Sequence, residues 1–142
     1  LTTYRSTVRQ GLRRFKGSEM DTAGDGFFAV FDRAADALRA AEWCRTTLHE
    51  AGLDSRFGLH AGECETRGEK VSGVAVITAA RVMAQAQANE ILVTAAGREA
   101  LSDDPGGGFA DRGLHALKGL PGELHVFEVT RARPIGLQER SA

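Results

Sequence analysis

The sequence has little cysteine, almost no excess of charge of either sign and no long apolar run. Cys44 and Cys64 lack the spacing of metal ligands and are typical of reduced cytosolic thiols, so neither a disulfide framework nor thiol catalysis is indicated. Eighteen basic residues stand against nineteen acidic ones, which argues against nucleic-acid binding. No apolar run reaches membrane-spanning length and no signal peptide is visible. These absences predict a cytoplasmic domain without a membrane segment.

The length of 142 residues predicts one domain that buries roughly two thirds of its unfolded surface, so folding requires no metal or disulfide. We expect the domain to occupy residues 1–130 and to be followed by a polar, loose tail over residues 131–142. Leu1 stands within a helical pattern, and we therefore expect the chain to be part of a longer polypeptide. No role is assigned to the scattered histidines, which are His49, His60, His115 and His125.

Apolar periodicity predicts a chain that mixes hairpins with crossovers. Helices are predicted over residues 1–16, 33–51, 74–87 and 95–101, and strands over residues 19–22, 27–31, 55–62, 90–94, 109–115 and 124–130. Residues 63–70 predict a loop or a second hairpin. Asp32 is expected to cap the second helix, and the apolar run 27–31 predicts a strand buried on both faces. This order of elements implies an α+β fold, with a mixed sheet flanked by helices.

The most informative local feature is the stretch Thr22-Ala23-Gly24-Asp25-Gly26, which precedes an apolar segment. An Asp-Gly step between strand formers predicts a tight hairpin, because the turn needs positive φ and glycine supplies it without a Cβ clash. The turn places one carboxylate at its tip. That carboxylate is either a polar turn residue facing water or a group placed for chemistry.

Three further segments resemble one family when they are taken together with this turn. They are Phe57-Gly58-Leu59-His60-Ala61-Gly62-Glu63, Gly73 through Ala79-Ala80-Arg81-Val82, and Leu117-Lys118-Gly119. In this order the motifs make residues 12–129 resemble the class III nucleotide cyclases, most nearly the soluble actinobacterial type. The resemblance implies a ferredoxin-like α+β sheet and a head-to-tail dimer with nucleotide sites at its interface. A lone subunit is then expected to be inactive.

The resemblance assigns roles to three residues. Asp25 matches the second of two aspartates that hold two Mg²⁺ or Mn²⁺ ions on the triphosphate, and carboxylate oxygens suit such hard cations. The family's other aspartate lies on a strand before the first helix, and this sequence lacks that strand. Arg81 matches the arginine that reaches the α-phosphate from the opposite subunit, and Lys118 matches the lysine that contacts the terminal phosphates. The alternatives are a surface or salt-bridged Arg81 and a solvated turn lysine at Lys118.

The sequence departs from the family pattern at three positions. Ile77, four residues before Arg81, replaces the asparagine or histidine that orients the ribose, so the resemblance implies weak or absent activity. At the positions that select the base, Asp21 and Lys70 stand as if their charges were exchanged. They either read the base by hydrogen bonding or are exposed without ligand contact. ATP is therefore expected as substrate on the resemblance alone, with GTP as the alternative.

Three functional hypotheses follow. The first is a cyclase that converts ATP to cyclic AMP and pyrophosphate, as a homodimer or beside a second cyclase domain. The second, motivated by Ile77 and by the changed base-selecting pair Asp21 and Lys70, is a catalytically degenerate module that dimerises or binds nucleotide to regulate an attached domain. The third is a purely structural α+β domain.

Overall fold

The computed structural model describes residues 2–20, 26–62, 65–67, 70–102 and 108–130. Asp21, Asp25, Cys64 and the predicted tail lie outside these ranges. The helices are α1 (Thr2–Arg14), α2 (Ala34–Glu50), α3 (Val74–Gln85) and α4 (Ala95–Ala100). The strands are β1 (Ser18–Met20), β2 (Phe28–Val30), β3 (Arg56–Leu59), β4 (Glu65–Arg67), β5 (Lys70–Ser72), β6 (Glu90–Thr94), β7 (Phe109–His115) and β8 (Leu124–Val129).

The central sheet has four strands in the order β3-β6-β8-β7. β3 and β6 are parallel, whereas β8 is antiparallel to both β6 and β7. Two antiparallel hairpins, β1–β2 and β4–β5, lie outside this sheet. The mixed sheet of the α+β prediction is confirmed, and of the two alternatives for residues 63–70 the structure shows the second hairpin, in which β4 pairs with β5.

Strand β6 alternates its side chains between two apolar cores, as the period of a strand requires. Ile91 and Val93 pack with Leu38 and Ala41 of α2, whereas Leu92 packs with Val82 of α3. Helices therefore cover both faces of the sheet. A third core joins α1 to α2, and its buried members are Val8, Leu12, Cys44 and Leu48.

Glycine at position 58 allows α3 to pack closely against β3. A Cβ at Gly58 would lie 2.4 Å from the backbone nitrogen of Met83 and 2.7 Å from the carbonyl oxygen of Ala79. Both neighbours are backbone atoms, which no rotamer change can move away. This close approach fixes the position of the helix that carries Ile77 and Arg81.

Two local predictions were wrong. Asp32 does not cap α2: the N-cap residue is Arg33, in an extended conformation, and no side-chain hydrogen bond caps the helix. Asp32 precedes the cap position, which separates its carboxylate from the open N–H groups of the first turn. Strand β2 is half-buried rather than buried on both faces, because among the described residues it pairs with β1 alone and does not join the central sheet.

Candidate active site

A cleft of about 830 Å³ lies between the β1–β2 hairpin and the central sheet. Residues 26–34, which include β2, and residues 56–62, which include β3, both line it. Residues 75–77, 79–81 and 83 of α3 line it further, together with side chains of α1 and α2. Most of the lining is apolar, so the few polar groups in it are candidates for ligand recognition.

Arg81 lies at this cleft on the exposed side of α3. The next residue, Val82, is fully buried against the sheet, which anchors the helix and fixes the direction in which Arg81 leaves it. The Nε atom of Arg81 donates a hydrogen bond to the backbone oxygen of Lys118 at 2.9 Å. The structure thus brings together two positions that are 37 residues apart in the sequence.

The contact with Lys118 uses only the Nε–H group of Arg81 and leaves the remaining guanidinium donors for other partners. Among the described residues, Arg81 forms no salt bridge with an acidic side chain. The described residues therefore do not support the alternative in which Arg81 serves a structural salt bridge. The Lys118 side chain is exposed, while its neighbour Leu117 is buried and ties the loop to the core. Arg81 thus lines the cleft, and its hydrogen bond holds the backbone of Lys118 next to it.

Ile77 also lines the cleft and lies one helical turn before Arg81, on the same face of α3. Its side chain is 43% exposed, and that of Val74 at the start of the helix is 65% exposed. The surface beside the guanidinium is therefore apolar. The side chain of Ile77 cannot form a hydrogen bond with a polar group of a bound ligand.

His60 is a cleft residue to which the sequence assigned no role. Its Nδ1 lies 2.7 Å from the Oγ1 of Thr94, and this oxygen also accepts a hydrogen bond from the N–H of Gly97 at 3.1 Å. Thr94 is thus the N-cap of α4 and fixes the imidazole as well. Burial lowers the pKa of His60, which favours the neutral ring. The place of His60 in the Phe57–Glu63 motif was the signal that could have identified it.

Three of the predicted site residues do not enter this geometry. Asp25 and Asp21 lie outside the described residues, and Lys70 begins β5, although its side chain is outside the description. In the described ranges no group of three or more His, Cys, Asp or Glu side chains is placed to hold a metal ion. Asp32, one of the wrongly predicted residues, is an acidic residue that does line the cleft.

Cys44 is a further residue that lines the cleft. Burial raises the pKa of its thiol to about 11, so the thiol stays protonated and unreactive at neutral pH. This agrees with the absence of thiol catalysis that the sequence predicts for Cys44. None of the helices in the described ranges is long and apolar enough to cross a membrane.

Sequence comparison finds relatives of two kinds. An uncharacterized protein of Mycobacterium tuberculosis is 35% identical over 109 residues, which is 75% of this chain and 38% of the relative. A receptor-type adenylate cyclase B of Leishmania donovani is 30% identical over 128 residues, 84% of this chain and 9% of that protein. The chain thus spans well under half the length of the curated relatives it matches. No protein-family model matches the chain.

Solved structures give the clearest similarity. An adenylate/guanylate cyclase/hydrolase from Silicibacter pomeroyi superposes with a TM-score of 0.78 at 25% identity, covering 89% of this chain and 79% of that one. The guanylate cyclase domain of RhGC from Catenaria anguillulae, solved in complex with GTP, gives 0.72 at 18% identity, covering 92% and 81%. An adenylyl cyclase from P. aeruginosa gives 0.70 at 18% identity, covering 91% and 79%. The chain therefore belongs to the class III nucleotide cyclase domain family.

Proposed function

We propose that this domain converts ATP to 3′,5′-cyclic AMP and pyrophosphate at the interface of a head-to-tail dimer, formed with a second copy or with another cyclase domain. The observation that carries the proposal is the hydrogen bond between Arg81 and the backbone of Lys118 at the edge of the cleft. It joins the two cationic residues for which the family resemblance predicts phosphate contacts. If the domain kept these motifs only for packing, the side chains of Arg81 and Lys118 would not both need to be exposed.

In the proposed reaction, the ribose 3′-oxygen attacks the α-phosphorus of ATP. A bond forms between that oxygen and phosphorus, the bond from phosphorus to the pyrophosphate oxygen breaks, and the 3′-hydroxyl proton is released. Negative charge develops on the α-phosphate oxygens, where the fixed guanidinium of Arg81 would stabilise it. Lys118, a flexible point charge, would follow the terminal phosphates as pyrophosphate leaves.

We propose Asp25 as a ligand of two Mg²⁺ or Mn²⁺ ions. When bound, such ions lower the pKa of the attacking hydroxyl and neutralise the leaving pyrophosphate. The carboxylate oxygen of Asp25 is the ligand type that these cations prefer. The family resemblance implies that the other metal-binding aspartate lies on a strand that precedes α1. Asp21 and Lys70 remain the proposed base-reading residues, and ATP remains the proposed substrate over GTP.

Ile77 reduces the expected rate. Its exposed apolar surface lies where the family resemblance predicts a hydrogen bond to the ribose. Loss of one orienting contact costs about 10²-fold in rate when the reacting atoms are misplaced. We therefore propose a slow cyclase.

The same observation supports a second candidate, in which the domain dimerises or binds nucleotide without turnover and regulates an attached domain. The exposed apolar surface of Val74 and Ile77 suits a contact with another protein surface better than it suits a sugar. The two candidates predict different results in one assay.

The test measures cyclic AMP and cyclic GMP formed from ATP and GTP with Mn²⁺, using the full-length protein. Arg81→Ala is expected to lower product formation by about 10² or more, because it removes a charge that acts on the transition state. Arg39→Ala, which changes an exposed arginine of α2, is the matched control and is expected to keep its activity. No product from a folded, dimeric protein that still binds nucleotide would establish the regulatory candidate. Equal losses in both variants would contradict the role of Arg81.

A further inference from the structure

We propose that Gly119 is a positioning residue for Arg81. Its positive φ aims the carbonyl oxygen of Lys118 at the guanidinium, which keeps Arg81 in one orientation at the cleft. The effect on turnover rests on the proposed cyclase function, whereas the orientation of Arg81 can be measured without nucleotide.

Residues 117–120 form a turn of one defined type. The N–H of Leu120 donates to the carbonyl oxygen of Leu117 at 3.1 Å, which closes a four-residue turn. Gly119, the third residue, has a φ of +83°, while Lys118, the second, does not have positive φ. This combination is that of a type II turn, which requires positive φ at its third position.

The turn type decides where the Lys118 carbonyl points. In a type I turn the third residue has negative φ, and the peptide group between the second and third residues is rotated by about half a turn relative to type II. In the observed turn this carbonyl accepts the hydrogen bond from the Nε of Arg81 at 2.9 Å. In the type I form the oxygen would face away from Arg81, and the Nε–H group would lose its acceptor.

The turn and the helix are held together by side chains that do not depend on this peptide group. Leu117 and Leu120, at the two ends of the turn, pack into the same apolar core as Val82, the neighbour of Arg81 on α3. A Cβ at Gly119 would meet nothing within 4 Å, so the surroundings of position 119 do not require a glycine. The positive φ does require one, because left-handed backbone is unfavourable for a residue with a Cβ.

Loss of the acceptor is expected to affect the transition state more than the binding of substrate. The guanidinium of Arg81 is proposed to stabilise charge that develops during the reaction, and such stabilisation depends on a fixed donor geometry. Gly119 should therefore influence kcat and leave the KM for ATP nearly unchanged.

The experiment follows the Nε–H proton of Arg81 by NMR in the full-length protein without nucleotide. Gly119→Ala is expected to raise the rate of its exchange with solvent by about tenfold, because alanine disfavours the left-handed conformation by about that factor. Gly122→Ala is the matched control in the same loop, since Gly122 has a φ of +68° and a Cβ there also meets nothing within 4 Å. Its carbonyl neighbour is not the one that Arg81 contacts, so its exchange rate is expected to stay at the wild-type value. Equal exchange in wild type and Gly119→Ala, or an equal rise in both variants, would overturn the proposal.

Gly119→Asn separates the backbone conformation from the loss of glycine as such. Asparagine adopts positive φ more readily than alanine, so this variant is expected to regain most of the protection of the Nε–H proton. An asparagine variant that exchanges as fast as the alanine variant would overturn the proposal.

The cyclic AMP assay adds the consequence for turnover. Gly119→Ala is expected to lower kcat by about tenfold with the KM for ATP unchanged, while Gly122→Ala keeps the wild-type kcat. A loss in Gly119→Ala that appears only in KM would overturn the positioning role. A wild-type protein without turnover, whose Nε–H exchange still follows the residue at position 119, would contradict the proposed cyclase and support the positioning of Arg81.

Discussion

Ile77 is the side chain whose replacement tests the proposed chemistry most directly. Ile77→Asn supplies an amide on the same helix face as Arg81 and is expected to raise the turnover number by about 10²-fold, because the ribose gains an orienting hydrogen bond. The measurement is the turnover number for cyclic AMP with saturating ATP and Mn²⁺ in the full-length protein. Ile77→Leu keeps the apolar surface and is the control. Equal rates in the two variants would exclude ribose orientation at this position.

Gly58 is required by the close packing of α3 on β3. Gly58→Ala is expected to lower the free energy of unfolding by about 3 kcal/mol, because the added methyl meets backbone atoms that must shift. The control is Gly26→Ala, where an added Cβ meets nothing within 4 Å. Urea unfolding of both variants measures the difference. Equal midpoints would show that α3 does not approach β3 this closely.

His60 makes stability depend on pH. Burial lowers its pKa from the ordinary value of 6.5, so the unfolded chain binds a proton more readily than the folded one. The contribution is complete above pH 6.5 and is lost as the pH falls from there through the folded-state pKa. An NMR titration of the His60 ring in the folded protein is expected to have its midpoint below 6.5. A midpoint at or above that value would contradict the buried, neutral imidazole.

Arg112 links three strands of the central sheet. It lies at an irregularity of the β7–β8 register, between Asp111 and Leu114, where Gly113 has a φ of +83°. Its Nη1 bonds Glu90 of β6 at 2.8 Å and Glu128 of β8 at 2.9 Å. Burial opposes ionisation of Glu90, but the hydrogen bonds from Arg112 and from the Gln87 N–H outweigh it and hold its pKa below the usual value.

Removal of this guanidinium is expected to destabilise the sheet. Arg112→Met leaves two neighbouring carboxylates without their shared donor and should cost about 2 kcal/mol at neutral pH. Because the Glu90 pKa is lowered in the folded state, this stabilisation is present above pH 4.5 and is lost as the pH falls through the folded-state pKa. Urea unfolding at pH 7 and pH 3 measures it. Arg39→Met, at an exposed contact of 3.7 Å, is the control, and an equal loss there would contradict the argument.

The proposed dimer predicts complementation between inactive variants. If each site takes Asp25 from one subunit and Arg81 from the other, Asp25→Ala and Arg81→Ala proteins are inactive alone but form one intact site in each mixed dimer. Random mixing of equal amounts should then restore about a quarter of the wild-type activity, since half of the dimers are mixed and each has one of two sites. Cyclic AMP formation by the mixture, unfolded and refolded together, measures this. A mixture as inactive as its components would contradict a shared site.

Much of the fold was predictable because its elements carry strong local signals. The strands predicted over residues 90–94 and 109–115 match the observed bounds of β6 and β7, and the helix predicted from residue 95 begins there as α4. The prediction that Asp32 caps α2 was wrong because capping depends on which single residue begins the helix, and the sequence pattern does not define a helix end to one residue. The prediction that β2 is buried on both faces was wrong because an apolar run alone does not show what covers it. In the described residues β2 lines an open cleft.

The sequence by itself determined the order of helices and strands, the period with which they bury apolar side chains, and the motifs that relate the chain to the cyclases. These properties depend on neighbouring residues and are therefore local. Only the tertiary structure decided that Arg81 meets the backbone of Lys118, that His60 is fixed by Thr94, and that residues of β2 and β3 line one cleft. The first two contacts join residues more than thirty positions apart in the sequence. Packing and chain topology set them, and the local pattern of side chains does not.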